Sequence, residues 1–302
     1  MVRCDCRVRG IRRPSSLAII ITITTIIMKF TSVASALLCA NAVLAAPGTA
    51  ARRARAAQRL AQRDGLTRSS GLLQPAVEEG EEEFTVASST NGTAHVEYST
   101  NWAGAVLIGT GYNTVTGTIV VPTPKAPSGG SSSSTYSGSA WVGIDGDTCS
   151  TAILQTGVDF TIRGSTVSFD AWYEWYPDYA YDFSGISISA GDTVTFTVTA
   201  SSKSAGKATI TNESTGQTVT HSFSGESDQL CEYNAEWIVE DYESGGSLVS
   251  FADFGTVTFT GASVNSNTGV SGATIIDLKQ NNKVLTSCST SGSSSVTCEY
   301  TG

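Results

Sequence analysis

From about Tyr98 onward the chain breaks into short runs that alternate apolar with polar residues, and this spacing limits the available folds more than any other feature. "TVTGTIVVP", "STVSFDAWYEWY", "DTVTFTVTA", "KATITNES", "QTVTHSFS", "EWIVEDYE", "FGTVTFTG" and "ATIIDLK" are rich in Thr, Val, Ile and aromatics, with Gly, Ser, Asn and Asp between them. β-Branched side chains pack well on a pleated surface, and a period of two puts alternate residues on one face. No apolar period of 3.6 residues competes. The pattern predicts an all-β sandwich or barrel. "TPKAPSGGSSSSTYSG" (123–138) reads as a surface loop by composition.

The charge is segregated. Twelve of the 18 Lys and Arg precede residue 85, whereas 20 of the 27 Asp and Glu follow it, so the C-terminal part carries a formal charge of −14 and the N-terminal part +5. Such acidity argues against nucleic acid or an anionic membrane as partner of the mature domain. "MKFTSVASALLCANAVLAAP" from Met28 has the charge, apolar core and small-residue site of a secretory signal, with cleavage after Ala45. Residues 1–27 then read as an over-extended leader, the alternative being one longer signal or anchor from Met1. Residues 46–88, with the Arg-rich "AARRARAAQRLAQRDG" and the acidic "EEGEEE", suit a removable propeptide; a disordered tail is the plainer alternative. Residues 89–302 form the folded domain.

Export accounts for the cysteines. Four remain in the domain, Cys149, Cys231, Cys288 and Cys298, an even number that suggests two disulfides with three possible connectivities. The favoured pairing is Cys149–Cys231 with the local Cys288–Cys298. Asn91 and Asn212 head glycosylation sequons.

Elimination narrows the chemistry. His95 and His221 are the only histidines; no Cys-x-x-Cys remains for zinc, no Gly-x-Ser-x-Gly is present, and paired Asp-Thr-Gly or Asp-Ser-Gly loops are absent. No metal or cofactor is required. Carboxylates, amides and aromatics are left, clustered in "SAWVGIDGDTCSTAILQTGVDF" (139–160), "FDAWYEWYPDYAYDF" (169–183) and "NAEWIVEDYE" (234–243). The last surrounds Trp237-Ile238-Val239 with Glu236, Glu240, Asp241 and Glu243. An unpaired buried carboxylate is costly, so this strand is either a wet edge or the floor of an acidic cleft. A Cys149–Cys231 bridge, with strands leaving it side by side, would bring Gln155 and Glu240 into one cleft.

"STNWAGAVL" (99–107), "AWVGIDGDTCSTAILQTGVDF" (140–160), "FDAWYEWYP" (169–177) and "CEYNAEWIVEDYESGGSLVSFADFGTVTF" (231–259) resemble the glutamic endopeptidases, or eqolisins, over essentially all of Tyr98 to Gly302. The resemblance implies a secreted fungal acid protease made with a propeptide, on a sandwich of two large antiparallel sheets of jelly-roll or concanavalin-like form. It implies a catalytic pair at Gln155 and Glu240, with Trp141, Asp145, Asp159, Asp170, Glu174 and Tyr176 lining or supporting the site and Glu243 a further candidate. Some family members are nicked, which makes the 123–138 loop a candidate cut.

The chemistry is coherent on its own terms. Below neutrality Glu can still act as a base where His is protonated, and Gln offers both an acceptor and a donor. For Glu240 to stay ionised in acid, its surroundings are expected to lower its pKa. The partners expected are protein and peptide substrates and the chain's own propeptide as inhibitor, with the enzyme a monomer. The competing readings are a glycoside hydrolase using Glu174 and Glu240, and a carbohydrate-binding module with Trp172, Trp175 and Tyr176 as platforms.

Overall fold

The computed structural model describes residues 68–76 and 96–302, and the described residues contain strands but no helix. The signal, the leader, Asn91 and the propeptide apart from 68–76 lie outside them. Numbered in chain order, the strands form two large sheets and one small one.

The first large sheet runs β18 (Lys283–Val284), β17 (Thr274–Gln280), β3 (Trp102–Ile108), β12 (Asn234–Glu240), β5 (Thr135–Ile144), β6 (Ile153–Arg163), β7 (Thr166–Tyr176), β8 (Tyr181–Asp182), with β2 (Val96–Ser99) parallel beside β17. The second runs β11 (Gln217–Ser224), β10 (Ala205–Asn212), β9 (Thr193–Ser202), β4 (Thr114–Val120), β15 (Thr256–Val264), β20 (Ser295–Tyr300), β19 (Thr286–Ser291), with β16 (Asn267–Thr268) beside β15. β1 (Arg68–Ser69), β13 (Glu243–Ser244) and β14 (Ser247–Leu248) make the small sheet. Apart from β2 the pairing is antiparallel, and the architecture is a β-sandwich.

Period-two alternation explains how the first sheet buries both its faces. Ala235, Trp237 and Val239 of β12, Ala140, Val142 and Ile144 of β5, and Leu154, Val158 and Phe160 of β6 point into the main core, together with Val194, Phe196 and Val198 of β9. Trp237 also donates its indole N–H to the Thr116 carbonyl at 2.8 Å, which satisfies the buried ring and ties β12 to the opposite sheet. Gly117 leaves room for that ring, since a Cβ there would stand 2.9 Å from Trp237 Cδ1. The other face carries a second cluster of Trp102, Val106, Trp141, Ile153, Trp172, Ile238 and Ile276. Because both faces are covered, all seven residues of β12 are buried, and the wet-edge reading of that strand is wrong. It lies at the sheet's centre, between β3 and β5.

The disulfides join Cys149 to Cys231 and Cys288 to Cys298. The loop expected over 123–138 ends sooner, because Thr135–Gly138 already belong to β5. Neither disulfide crosses it. A protease cut within 123–134 is therefore expected to leave two pieces held by packing alone, which a non-reducing denaturing gel separates; a single band after complete cutting would contradict this.

Asn212 is not an open glycosylation site in this fold. Its side chain is fully buried, donates to Ser187 O and Asp192 Oδ2 at 2.8 Å each, and accepts from the backbone N–H groups of Ser214 and Thr215.

Candidate active site

The register of the first sheet builds the site as three rows. One is Val106, Glu236, Gly143, Gln155, Glu174; the next is Gly104, Ile238, Trp141, Gly157, Trp172; the third is Trp102, Glu240, Ser139, Asp159, Asp170. Each row crosses β3, β12, β5, β6 and β7 on the face turned away from the main core. In the middle row two glycines make room for Ile238, Trp141 and Trp172. Gly157 has no side chain because a Cβ would fall 2.5 Å from Trp141 Cβ and 2.3 Å from the Ala140 carbonyl.

Gln155 and Glu240 sit on β6 and β12, separated by β5. The disulfide therefore does not set their strands side by side, as expected from the spacing, but ties the loops that enter them. Their side chains converge from the two outer rows. Glu240 Oε2 accepts the Trp141 indole N–H at 2.9 Å.

Residues 68–76 lie across this face. Gln155 Nε2 donates to the Ser70 carbonyl at 3.1 Å, and the Gly71 N–H donates to Glu240 Oε1 at 3.2 Å. Trp102 Nε1 donates to the Gly71 carbonyl at 3.2 Å, Asn101 Nδ2 to the Leu72 carbonyl at 3.0 Å, and the Leu73 N–H to Gly146 O at 3.0 Å. Leu72 and Leu73 pack with Tyr176 against the cluster of indoles.

Arg68 fills the acidic end. Its Nε and Nη2 reach the two Asp159 oxygens at 2.8 Å each, Nη1 reaches Glu174 Oε2 at 3.2 Å, and Nη2 reaches Ser139 Oγ at 3.2 Å. The guanidinium carbon is 3.8 Å from the Trp172 ring centroid and 4.7 Å from that of Tyr242, a sandwich that suits a planar cation. Ser69 Oγ and the Ser70 N–H also donate to Glu174. Ser69 pairs with Glu243 through the small sheet, which is how Glu243 reaches the site.

Burial governs the electrostatics. It pushes the Glu240 carboxyl up to about 7, against the pull of Arg68 and of the Trp141 indole, and pushes Glu174 up to about 8 in spite of Arg68. The expectation that its surroundings lower the Glu240 pKa therefore fails with the cleft covered, because desolvation outweighs the bonds to the ionised form. Glu236 is fully buried, the Asp147 backbone N–H pulls only weakly on its carboxylate, and burial followed by the Asp145 charge holds it well above the ordinary range. Asp241, buried beyond the end of β12, accepts from Gln280 Nε2 at 2.7 Å and is pushed up to about 7 by burial.

Two of the expected lining residues take other places. Asp145 serves the entry to β12: it adopts the left-handed φ of 71° and accepts the backbone N–H groups of Cys231, Glu232, Tyr233 and Asn234 at 2.7–3.2 Å. Asp145→Ala would leave four inward N–H groups without an acceptor and is expected to cost on the order of 4 kcal/mol, measured by denaturant unfolding. A loss below about 1 kcal/mol would show that water replaces it. Asp170 pairs in register with Asp159 but stands largely in solvent, and the partial desolvation it keeps, followed by the Asp182 charge, raises its pKa.

Asp145 also lies near the Cys149 and Cys231 sulfurs, which are already joined to each other. The aromatic platform expected for a sugar does not form. Trp175 points into the main core and Trp172 lies beneath Arg68.

Sequence reasoning overlooked Arg68, Trp102, Asn101, Ser139 and Tyr242. For Trp102 and Ser139 the signal was parity, since both share a face and a row with Glu240. Nothing local marked Arg68 among its neighbouring arginines.

Comparison with known proteins gives a consistent answer. The model of the Peptidase A4 family matches residues 100–300. Aspergillopepsin-2 of Aspergillus niger is 59% identical over 228 residues, which cover 70% of this chain and 80% of the relative. Scytalidopepsin B of Scytalidium lignicola is 50% identical over 211 residues, covering 66% and 77%. Among solved structures, scytalido-glutamic peptidase with a transition state analog inhibitor aligns with a TM-score of 0.60 at 45% identity, covering 67% of this chain and 98% of that one. Aspergilloglutamic peptidase from Aspergillus niger aligns with a TM-score of 0.53 at 62% identity, covering 55% and 99%.

Proposed function

Since the chain belongs to the Peptidase A4 family of glutamic peptidases, we propose that it is a secreted acid endopeptidase in which Glu240 is the general base and Gln155 stabilises the oxyanion. The observation that carries this reading is that the two side chains bracket one peptide bond, Gln155 on its carbonyl oxygen and Glu240 on its N–H. Water attacks the carbonyl carbon while Glu240 takes its proton, Gln155 Nε2 donates to the oxygen as charge develops there, and Glu240 returns the proton to the leaving nitrogen. Trp141 holds the carboxyl from its other oxygen. Two disulfides and the signal-like run at 28–45 support an extracellular site of action.

Digestion of casein in acid tests the reading. The mature enzyme should release peptides and the Gln155→Ala enzyme should do so about 10²–10³-fold more slowly. Full activity in that variant would remove Gln155 from the mechanism. Glu174→Gln should retain proteolysis, whereas a glycosidase using Glu174 as its acid would be inactivated.

The upstream region acts on this reading as the inhibitor. Arg68 sits against Asp159 and Glu174, with Glu240 and Asp182 nearby, and acidification below about 7 removes the charge that Glu240 still carries. Arg68 is only 13% exposed, so added salt should screen this pair weakly. A peptide of residues 46–88 added to mature enzyme is expected to inhibit at neutral pH and to release on acidification, with Arg68→Ala weakening it at least about tenfold. Affinity independent of pH and of Arg68 would reject this account.

A further inference from the structure

A segment that only plugs a cleft has no need to present a peptide bond to both catalytic groups at once, yet residues 68–76 do. We infer that Ser70–Gly71 is the first bond this enzyme hydrolyses, and that it does so within its own chain. The inference rests on the proposed Glu240–Gln155 pair and adds to it a substrate, a bond and a molecularity.

The register is that of a substrate on both sides of the bond. Upstream, Arg68 and Ser69 pair as a strand with Glu243 and Ser244, and the Ser70 N–H is held by Glu174. Downstream, Trp102 fixes the Gly71 carbonyl, while Asn101 holds the Leu72 carbonyl through Nδ2 and the Gln74 N–H through Oδ1. The bond between these anchors cannot slide without breaking several of them. The Ser70 carbonyl oxygen, which would carry the developing charge, already accepts from Gln155 Nε2. The Gly71 nitrogen, which must be protonated to leave, already touches the Glu240 oxygen that would hold the proton. One water is consumed: its oxygen bonds to the Ser70 carbonyl carbon, one of its protons passes through Glu240 to the Gly71 nitrogen as the C–N bond breaks, and the products are a Ser70 carboxyl and a Gly71 amine.

Two further features favour an intramolecular cut. The segment belongs to the same compact unit as the cleft, Gly65–Gly302, so encounter is already complete. After the cut the downstream piece keeps its own anchors, the Ala76 N–H on Tyr98 O and the Thr100 N–H on Gln74 O, while the Arg68 side loses its covalent tether. The tethered inhibitor becomes a separate peptide that dilution can remove.

The full chain, incubated at a series of pH values from about 3 to about 7 because the cut needs an ionised Glu240 whose carboxyl burial holds up to about 7, is to be followed by intact mass and N-terminal sequencing. The expected first new N-terminus is Gly71, formed with a rate constant unchanged over a hundredfold dilution, and Glu240→Gln chains stay whole. Gly71→Ala is expected to be cut at the same bond, because a Cβ there meets nothing within 4 Å. Gly71→Pro, which lacks the N–H that Glu240 engages, is expected to resist. A first cut elsewhere, with Glu240→Gln still inert, overturns the assigned bond and leaves the catalytic pair standing. Cleavage at Gly71 in Glu240→Gln chains overturns the pair itself, and a rate proportional to concentration overturns the intramolecular route.

Discussion

Glu240→Gln is expected to lower kcat for a peptide substrate by about 10³-fold or more, because in the proposed mechanism one carboxyl serves as both base and acid and an amide can do neither. The swap preserves shape, so the Trp141 N–H still finds an acceptor in the glutamine oxygen. In the full chain it also removes a carboxyl that burial has pushed up to about 7, and the full-length variant should therefore unfold no earlier than full-length wild type at neutral pH. That pairing of lost activity with undiminished stability distinguishes a chemical role from a structural one. The comparison needs enzymes whose upstream segment has been removed by an added protease, so that the cleft is open in both. A kcat within about tenfold of wild type would end the assignment of Glu240 as base.

The second large effect is on stability. Glu174, Glu236, Glu240 and Asp241 are all buried, and in the full chain burial raises each pKa: Glu240 and Asp241 to about 7, Glu174 to about 8, Glu236 well beyond the ordinary range. The unfolded chain releases these protons near the usual carboxyl value while the folded chain keeps them, so stability is fully present in acid and is lost as pH rises through the folded values. For each carboxyl, every tenfold loss of acidity on folding costs about 1.4 kcal/mol once the pH exceeds both pKa values, and relaxation of the buried groups reduces the sum to on the order of 5 kcal/mol. With about 3 °C per kcal/mol for a domain of this size, Tm should fall by on the order of 15 °C between about pH 4 and about pH 8. Glu236→Gln should flatten that slope without touching residues 68–76. A Tm that instead rises with pH would mean that the buried carboxyls ionise in the folded protein at no cost.

The sandwich was legible from the sequence because Thr- and Val-rich alternation has one physical outcome, and "DTVTFTVTA" became β9 almost to its ends. "EWIVEDYE" was harder, since alternation reports one wet face and β12 has none: Trp237 and Val239 meet the main core while Glu236 and Glu240 meet the cluster of indoles. Gln155 and Glu240 were found by resemblance, not by spacing, as the strand between them shows. Asp145 carries the same charge as Asp159, and only the tertiary structure separates a residue that binds four backbone N–H groups from one that meets a guanidinium. Arg68 was hidden for a related reason. Composition described its region as a basic propeptide drawn to an acidic domain, and no local pattern reveals which of its arginines lodges between two rings.

The three rows also guard the assembly of the sheet. A slip of β12 by one residue against β5 would turn Glu236 and Glu240 toward the main core and leave Trp237 facing the cleft. At neutral pH the slip would take the Trp141 N–H away from Glu240 and drive its carboxylate into an apolar core, which makes the mispaired sheet less stable than the correct one. In acid the same carboxyls are neutral and the penalty shrinks. The carboxyls that face residues 68–76 thus act as proofreaders of strand pairing near neutrality, and a chain that folds before it is acidified has its register checked while they still carry charge.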